Sequence, residues 1–356
     1  MTAVTYPSGP ICPHGAYDFI RTRHPQVSYH RSQDPTDPTD KAFNFHLSGG
    51  RAPHRFVHDA GIRLAPKSKG WMAPWQIQQQ QGATQDGATF NGAVYDPVEL
   101  TLPLVAFGKT PQLRRQVIRD WIEAWDVKRQ GELSVVVDNK FLYAPARWAK
   151  VPVDPIRLGG SHLIERMTWD IQIDDAFWRG IDSISVFQGN GTGFQTVTNF
   201  GDQDEYIDHT FYGPGTVQIA NGPGSSSMIT FGPLLPNQIA RLRTSPTFRN
   251  VYDLTPAGAN VPQQQLTAWQ KFIKALVSFA TNNNPGSLLR WFESLFGVLP
   301  PQGELYTLLN GRFTKPVPAK PLASPPVESN IAVKITGGDS NTKLITELTP
   351  RYRWPF

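Results

Sequence analysis

The sequence predicts a mixed, mainly β chain of the α+β class: a strand-built domain with one packed helix, then a β-sandwich carrying a helical hairpin as an insertion or appendage. Three observations lead there. Glycine (30) and proline (32) are abundant while charged residues make up only 18% of the 356, a balance that favours short strands joined by many turns over a helical bundle. Residues 98 to 105 alternate strictly, with Val98, Leu100, Leu102 and Leu104 on one face, the pattern of a half-buried strand. Helical periodicity is confined to two places, one beginning at Pro111 and one beginning near residue 255.

Residues 1–40 contain YPSGPICPHG and SQDPTDPTD and show neither helical nor strand periodicity, so they read as an extended N-terminal arm. A first domain spans 41–180. After its alternating strand, Pro111 opens a helix in which Leu113, Val117, Trp121 and Trp125 recur every four residues. Arg114, Arg115 and Arg119 read as the solvated face of that helix rather than a nucleic-acid surface. ELSVVVDN and FLYAPARW then form a hairpin, and Met167, Trp169, Ile171 and Ile173 alternate in a last long strand.

After Trp178 the helix signal vanishes. SISVF, TVQIAN, SMITFG and QIARLRT recur between Gly/Pro/Asn turns, and IAVKIT follows at 331–336, which predicts a β-sandwich over 181–254 plus 327–356. The interval 255–326 is expected to be a helical hairpin with a Pro-rich connection. Leu266, Trp269, Phe272, Ile273, Leu276 and Phe279 mark its first helix and Leu288, Leu289, Phe292, Leu295 and Phe296 its second.

Composition excludes several functions. Cys12 is the only cysteine, so there is no intramolecular disulfide and no multi-cysteine metal centre. No run of eighteen apolar residues occurs, and MTAVTYPSGP lacks the basic and apolar regions of a signal peptide, so synthesis in a cytoplasm is expected. The net charge of +5 comes from scattered basic residues, so no specific nucleic-acid binding is expected.

The candidate chemical motifs read as structural. His54 and His58 stand four apart, but the glutamate of a zinc-protease helix is missing and Gly61 interrupts. Gly189-Asn190-Gly191-Thr192-Gly193 has no helix after it to receive an anion and reads as a turn. Ser225, Ser226 and Ser227 lack a nucleophile elbow. Asp174-Asp175 and Asp204-Glu205 are adjacent pairs, which on a strand point to opposite faces, so they read as turn acids. No catalytic residue, cofactor site or metal site is assigned. The amide-rich Gln76 to Gln81 reads as a loop or edge strand, either exposed or touching a neighbouring subunit.

The stretch GWMAPWQIQQQQGATQDGATFNGAVYDPVELTLPLVAFGKTPQLRRQVIRDWIEAW resembles the belt domain of siphophage distal tail (Dit-like) proteins. DIQIDDAFWRG resembles the crossover into their second domain, and TNFGDQDEYIDHTFYGPGTVQIANGPGSSSMITFGPLLPNQIARLRTSP resembles the galectin-like sandwich that follows. LLNGRFTKPVPAKP, IAVKITGGDSNTKLITELTPRYRWPF and SFATNNNPGSLLRWFESLFGVLPPQGELYTLL are similar to mycobacteriophage minor tail proteins of this type. The resemblance covers roughly residues 45 to 356.

It implies a structural, non-enzymatic virion protein at the tail tip, forming a homo-hexameric ring that joins the tail tube to the baseplate hub. Tail tube protein, tape measure protein and baseplate hub or other minor tail proteins would be its partners. Within that reading, Leu100, Leu102, Gln78, Gln80, Trp169 and Ile171 are the candidate ring-interface residues. The alternative is a tail-tip adhesin for host-envelope glycans, with Tyr206, Tyr212 and Trp178 as candidate contacts.

Overall fold

The computed structural model describes residues 25–34, 40–48, 60–81, 86–137, 140–150, 163–246, 250–256, 305, 308–320 and 325–356. The chain divides into two compact units, Met1–Ile181 with Arg351–Phe356, and Asp182–Pro350. Most of the expected helical hairpin, His54 and His58 lie outside the described residues.

In the first unit the described elements are β1 (Gln26–Arg31), β2 (Phe43–Ser48), β3 (Ala60–Leu64), β4 (Trp75–Gln80), β5 (Thr89–Tyr95), β6 (Val98–Gly108), helix α1 (Pro111–Ala124), β7 (Gly131–Val137), β8 (Lys140–Trp148), β9 (Ile164–Ile173) and β10 (Trp178–Arg179). One antiparallel sheet runs β2-β1-β7-β8-β9-β6-β3. Its two end strands approach each other, so the sheet curls, and α1 lies against β6 and β3.

Two sequence expectations change here. The arm expected over 1–40 contains β1, which pairs with both β2 and β7. Tyr29 on that strand is fully buried, stacks on Trp125 at 3.9 Å and donates its hydroxyl to the Ala124 carbonyl at 3.0 Å. Beside it, Asp40 accepts from Arg129 at 2.7 Å and from Arg31 at 2.6 Å. The hydrogen bond from Arg129 is the main reason its carboxyl is held down to about 2. The last residues, expected with the sandwich, return to the first unit: Arg351–Tyr352 pairs with β10, Trp178 opposite Tyr352.

The helix obeys its caps but not its expected stripe. The Thr110 side chain accepts from the Leu113 amide, Pro111 occupies the first turn, and Trp125 leaves the helix with extended backbone. Steps of four residues advance about 400° around a helix, so a strict four-residue stripe drifts about 40° per step. Leu113 has therefore rotated out to 39% exposure, while Ile118, Trp121 and Trp125 are buried. Arg114 turns inward instead of toward solvent and pairs with the buried Glu165 at 3.6 Å.

Gly70 has φ +86°, and a Cβ there would overlap the Glu99 carbonyl oxygen. It follows Lys69, whose backbone exchanges two hydrogen bonds with Thr101 of β6. Gly70→Ala is expected to lose about 2 kcal/mol or more, measured by denaturant unfolding; a loss below 0.5 kcal/mol would show that the loop shifts freely.

The second unit contains β11 (Ser183–Gln188), β12 (Gly191–Thr198), β13 (Asp208–Tyr212), β14 (Gly215–Ala220), β15 (Met228–Leu234), β16 (Ile239–Arg243), β17 (Asn250–Asp253), β18 (Leu309–Asn310), β19 (Glu328–Thr336) and β20 (Lys343–Leu348). They make two five-stranded antiparallel sheets, β11-β20-β13-β16-β17 and β12-β19-β14-β15-β18. Alternate residues of both, among them Phe211, Leu242 and Leu344 of one and Val217, Phe231, Ile331 and Val333 of the other, share one core.

A buried polar chain crosses that core. Gln195 donates through Nε2 to the carbonyls of Ser185 at 3.1 Å and Leu344 at 2.8 Å, and its Oε1 accepts from the Thr346 hydroxyl. With its proton committed, Thr346 Oγ1 must accept from His209 Nδ1, 3.0 Å away. This fixes the tautomer of a fully buried imidazole, whose pKa burial pushes down to about 3.

Candidate assembly surface

β4 and β5 pair only with each other, outside the large sheet. Their register sets Trp75 opposite Tyr95 and Ile77 opposite Ala93; a bulge then brings Gln79 opposite Phe90. Side chains alternate along a strand, so Trp75, Ile77 and Phe90 share one face. Gln76, Gln78 and Gln80 form the other, together with Val94.

The base of this hairpin is fixed: the Asp96 amide donates to the Pro74 carbonyl at 2.9 Å, Gln76 Nε2 donates to Asp96 at 3.1 Å, and Tyr95 meets Phe177 edge-on at 5.0 Å. Beyond the base the hairpin is bare. Trp75 is 52% exposed, Ile77 54%, Phe90 64% and Val94 47%. A two-stranded hairpin alone in water is marginally stable, and clustered exposed apolar side chains mark interaction sites.

Of the six residues expected at a ring interface, only Gln78 and Gln80 sit on this exposed hairpin. Leu100, Leu102, Trp169 and Ile171 do come together, with Leu102 opposite Trp169 and Leu100 opposite Ile171. They do so in the protomer's own core, each at most 2% exposed. Neither strand offers an edge either, because β6 lies between β9 and β3 and β9 between β8 and β6. Alternation reports that a face is buried without reporting what buries it. The exposed apolar face of Trp75, Ile77 and Phe90 was signalled in the sequence only by the alternation of Trp75 and Ile77, masked by the neighbouring glutamines.

Of the three candidate glycan contacts, Trp178 belongs to the first unit and Tyr206 and Tyr212 to the second. Trp178 is buried, stacked on Trp71 at 5.8 Å, with its indole donating to the Trp71 carbonyl at 3.0 Å. Tyr206 precedes β13 and donates to the Thr314 carbonyl at 3.3 Å; Tyr212 ends β13, with the Lys343 ammonium 4.4 Å from its ring centre. Six positions of extended chain put these tyrosines about 20 Å apart.

Asp208 and Glu347 face each other across β13 and β20. Burial raises both carboxyls, and Arg241 opposes the shift through contacts of 3.3 and 2.9 Å. Asp174 accepts from Arg147 at 2.7 Å, and Asp175 pairs with Arg179 at 3.1 Å. Among the described residues no group of three or more His, Cys, Asp or Glu could hold a metal ion, and no helix is long and apolar enough to cross a membrane.

No protein-family model matches the chain, and no curated protein matches it. Among solved structures, the SPP1 Dit (gp 19.1) protein, described as a paradigm of the hub adsorption apparatus in phages infecting Gram-positive bacteria, aligns at 11% identity. That alignment covers 82% of this chain and 93% of that one, with a TM-score of 0.44. Chains from the phage P2 baseplate in its activated conformation, with Ca and with Sr, align at 8% identity over 93% of this chain and 99% of theirs, with TM-scores of 0.50 and 0.51. The chain has the fold of a phage P2 baseplate chain.

Proposed function

We propose that this chain is a structural component of a phage tail tip, a distal tail protein whose first unit is the belt of a homo-hexameric ring and whose second unit is a galectin-like sandwich. The ring joins the tail tube to the baseplate hub, and the protein performs no chemistry. The observation that carries this reading is the β4–β5 hairpin, an arm with a fixed base whose exposed, clustered apolar side chains mark an interaction surface. Its amide face, with Gln78 and Gln80, supplies hydrogen bonds at the same contact. The fold shared with the P2 baseplate chains supports the tail-tip setting.

Sedimentation of the full chain is expected to show a particle about six times its 39.7 kDa mass. Replacing Ile77 and Phe90 together by aspartate is expected to leave monomers with unchanged circular dichroism, because both side chains are exposed in the protomer. A wild-type chain that stays monomeric at virion-like concentrations, or is missing from purified tails, would end this proposal.

A further inference from the structure

The ring reading names an arm but not the surface that receives it, and among the described residues the first unit carries a second apolar strip, half-buried at Val105 and Phe107 and exposed at Leu163 and Ile164. Phe107 of β6 stands opposite Gly61 of β3 and opposite Ile164 of β9. On β6 the core face is Val98, Leu100, Leu102, Leu104 and Ala106, so Val105 and Phe107 belong to the outer face. Gly61 has no side chain, and a Cβ there would stand 3.0 Å from Phe107 Cζ, so the ring lies down over the glycine. Ile164 beside it is 59% exposed and Leu163 is 44% exposed. Val105 continues the strip between its cross-strand neighbours Arg63 and Arg166, and the Arg63 guanidinium stands 5.1 Å from the Phe107 ring centre.

The strip and the hairpin sit at opposite ends of one ladder. The hairpin base adjoins Val98, which pairs with Ile173, whereas Phe107 pairs with Ile164 at the far end. Nine strand residues separate the ends, about 30 Å. At that separation the hairpin does not serve its own strip. The chemistries match. WQIQQQ and TFNGAVY contain no charged residue, so the hairpin sets no cation against Arg63 or Arg166, and it brings Trp75 and Phe90, rings on which a guanidinium stacks favourably.

We propose that the Trp75/Ile77/Phe90 face of one copy docks on the Val105/Phe107/Ile164 strip of a second copy. Because donor and acceptor are different surfaces, the contact is heterologous, and repetition through a fixed rotation closes a ring rather than a two-fold dimer. This rests on the ring reading, and the test separates the two.

Two full-length variants are needed: one with Ile77→Asp and Phe90→Asp, which keeps the strip, and one with Ile164→Asp, which keeps the hairpin. Sedimentation velocity is expected to find each variant monomeric. Their equimolar mixture is expected to form 1:1 dimers and nothing larger, since only one hairpin and one strip remain functional between them. Unchanged circular dichroism and a cooperative thermal transition show that both variants are folded; the transition is expected below that of the assembled wild type, which gains stability from its subunit contacts. If the Ile164 variant assembles like wild type while the hairpin variant does not, the strip is overturned and the ring reading stands. A mixture that stays monomeric, or that grows beyond dimers, also overturns the pairing. If neither variant alters assembly, the hairpin reading falls as well. In a Cys12→Ser background, Phe90→Cys mixed with Ile164→Cys is expected to give a disulfide-linked dimer on oxidation; its absence from an assembled particle counts against the pairing.

Discussion

Trp121→Ala is expected to cost the first unit about 3–5 kcal/mol, the range for deleting a fully buried tryptophan. Trp121 is fully buried and meets four aromatic neighbours, Phe45 at 5.0 Å, Trp125 at 5.3 Å, Tyr29 at 5.6 Å and Trp169 at 5.8 Å, all steeply inclined to its plane. These rings come from β1, β2, β9 and the residue that ends α1, so Trp121 joins the sheet to its helix. In a unit of this size each kcal/mol shifts the melting point by about 2–4 °C, giving a fall of roughly 6–20 °C. Near-ultraviolet circular dichroism during thermal unfolding reads it directly. Trp121→Phe separates area from hydrogen bonding: among the described residues the Trp121 indole N–H has no hydrogen-bond partner, so the smaller ring gives up area alone and is expected to lose well under half as much. Equal losses for both variants would refute this account.

The second large effect is acid sensitivity of the sandwich through His209. Its pKa lies at about 3 in the fold against an ordinary value of 6.5, and burial is the cause. The unfolded chain therefore binds one more proton than the folded chain between these values, and stability falls as pH drops through that window. It is fully present above about 6.5. Each pH unit inside the window removes about 1.4 kcal/mol. Asp208 and Glu347 oppose this, because burial raises both and a raised carboxyl contributes stability at low pH that is lost as pH rises. Their window starts at the ordinary carboxyl range and runs upward, so the histidine's part is read as the difference between wild type and a variant that keeps both carboxyls. From pH 6.5 to 5 the histidine is expected to remove about 2 kcal/mol from the sandwich. His209→Asn keeps a donor for Thr346 and removes this titration, so it should lose about that much less than wild type over the interval. A variant as acid-sensitive as wild type would assign the slope to another group.

How much of this was legible in the sequence depended on range. β6, β9 and the sandwich strands carried their own period of two, and Thr110-Pro111 with the two tryptophans announced α1. β1 was missed because QVSYHR is short and lies in a Pro- and Asp-rich run; what makes it a strand is β7, about a hundred residues away. Arg114 looked like surface, since a charge in an apolar helix pattern reads as solvated until Glu165 is brought under it. The assembly surface was legible only in part. Gln78 and Gln80 drew attention as amides, but Trp75, Ile77 and Phe90 beside them could be told from core only by their exposure in the fold.

The return of the last residues to β10 has a mechanical consequence. The chain leaves the first unit after Ile181 and re-enters it at Arg351, so β1 and Phe356 belong to the same body. A pull applied between them is carried by the first unit alone. The sandwich comes under load only after the two-residue ladder of Trp178 with Tyr352 and Arg179 with Arg351 peels away. Until then it rides outside the load path, as a side loop does on a tensioned line. In single-molecule stretching from these two points, release of this short ladder should be the first event, and only after it does the sandwich lie in series with the first unit.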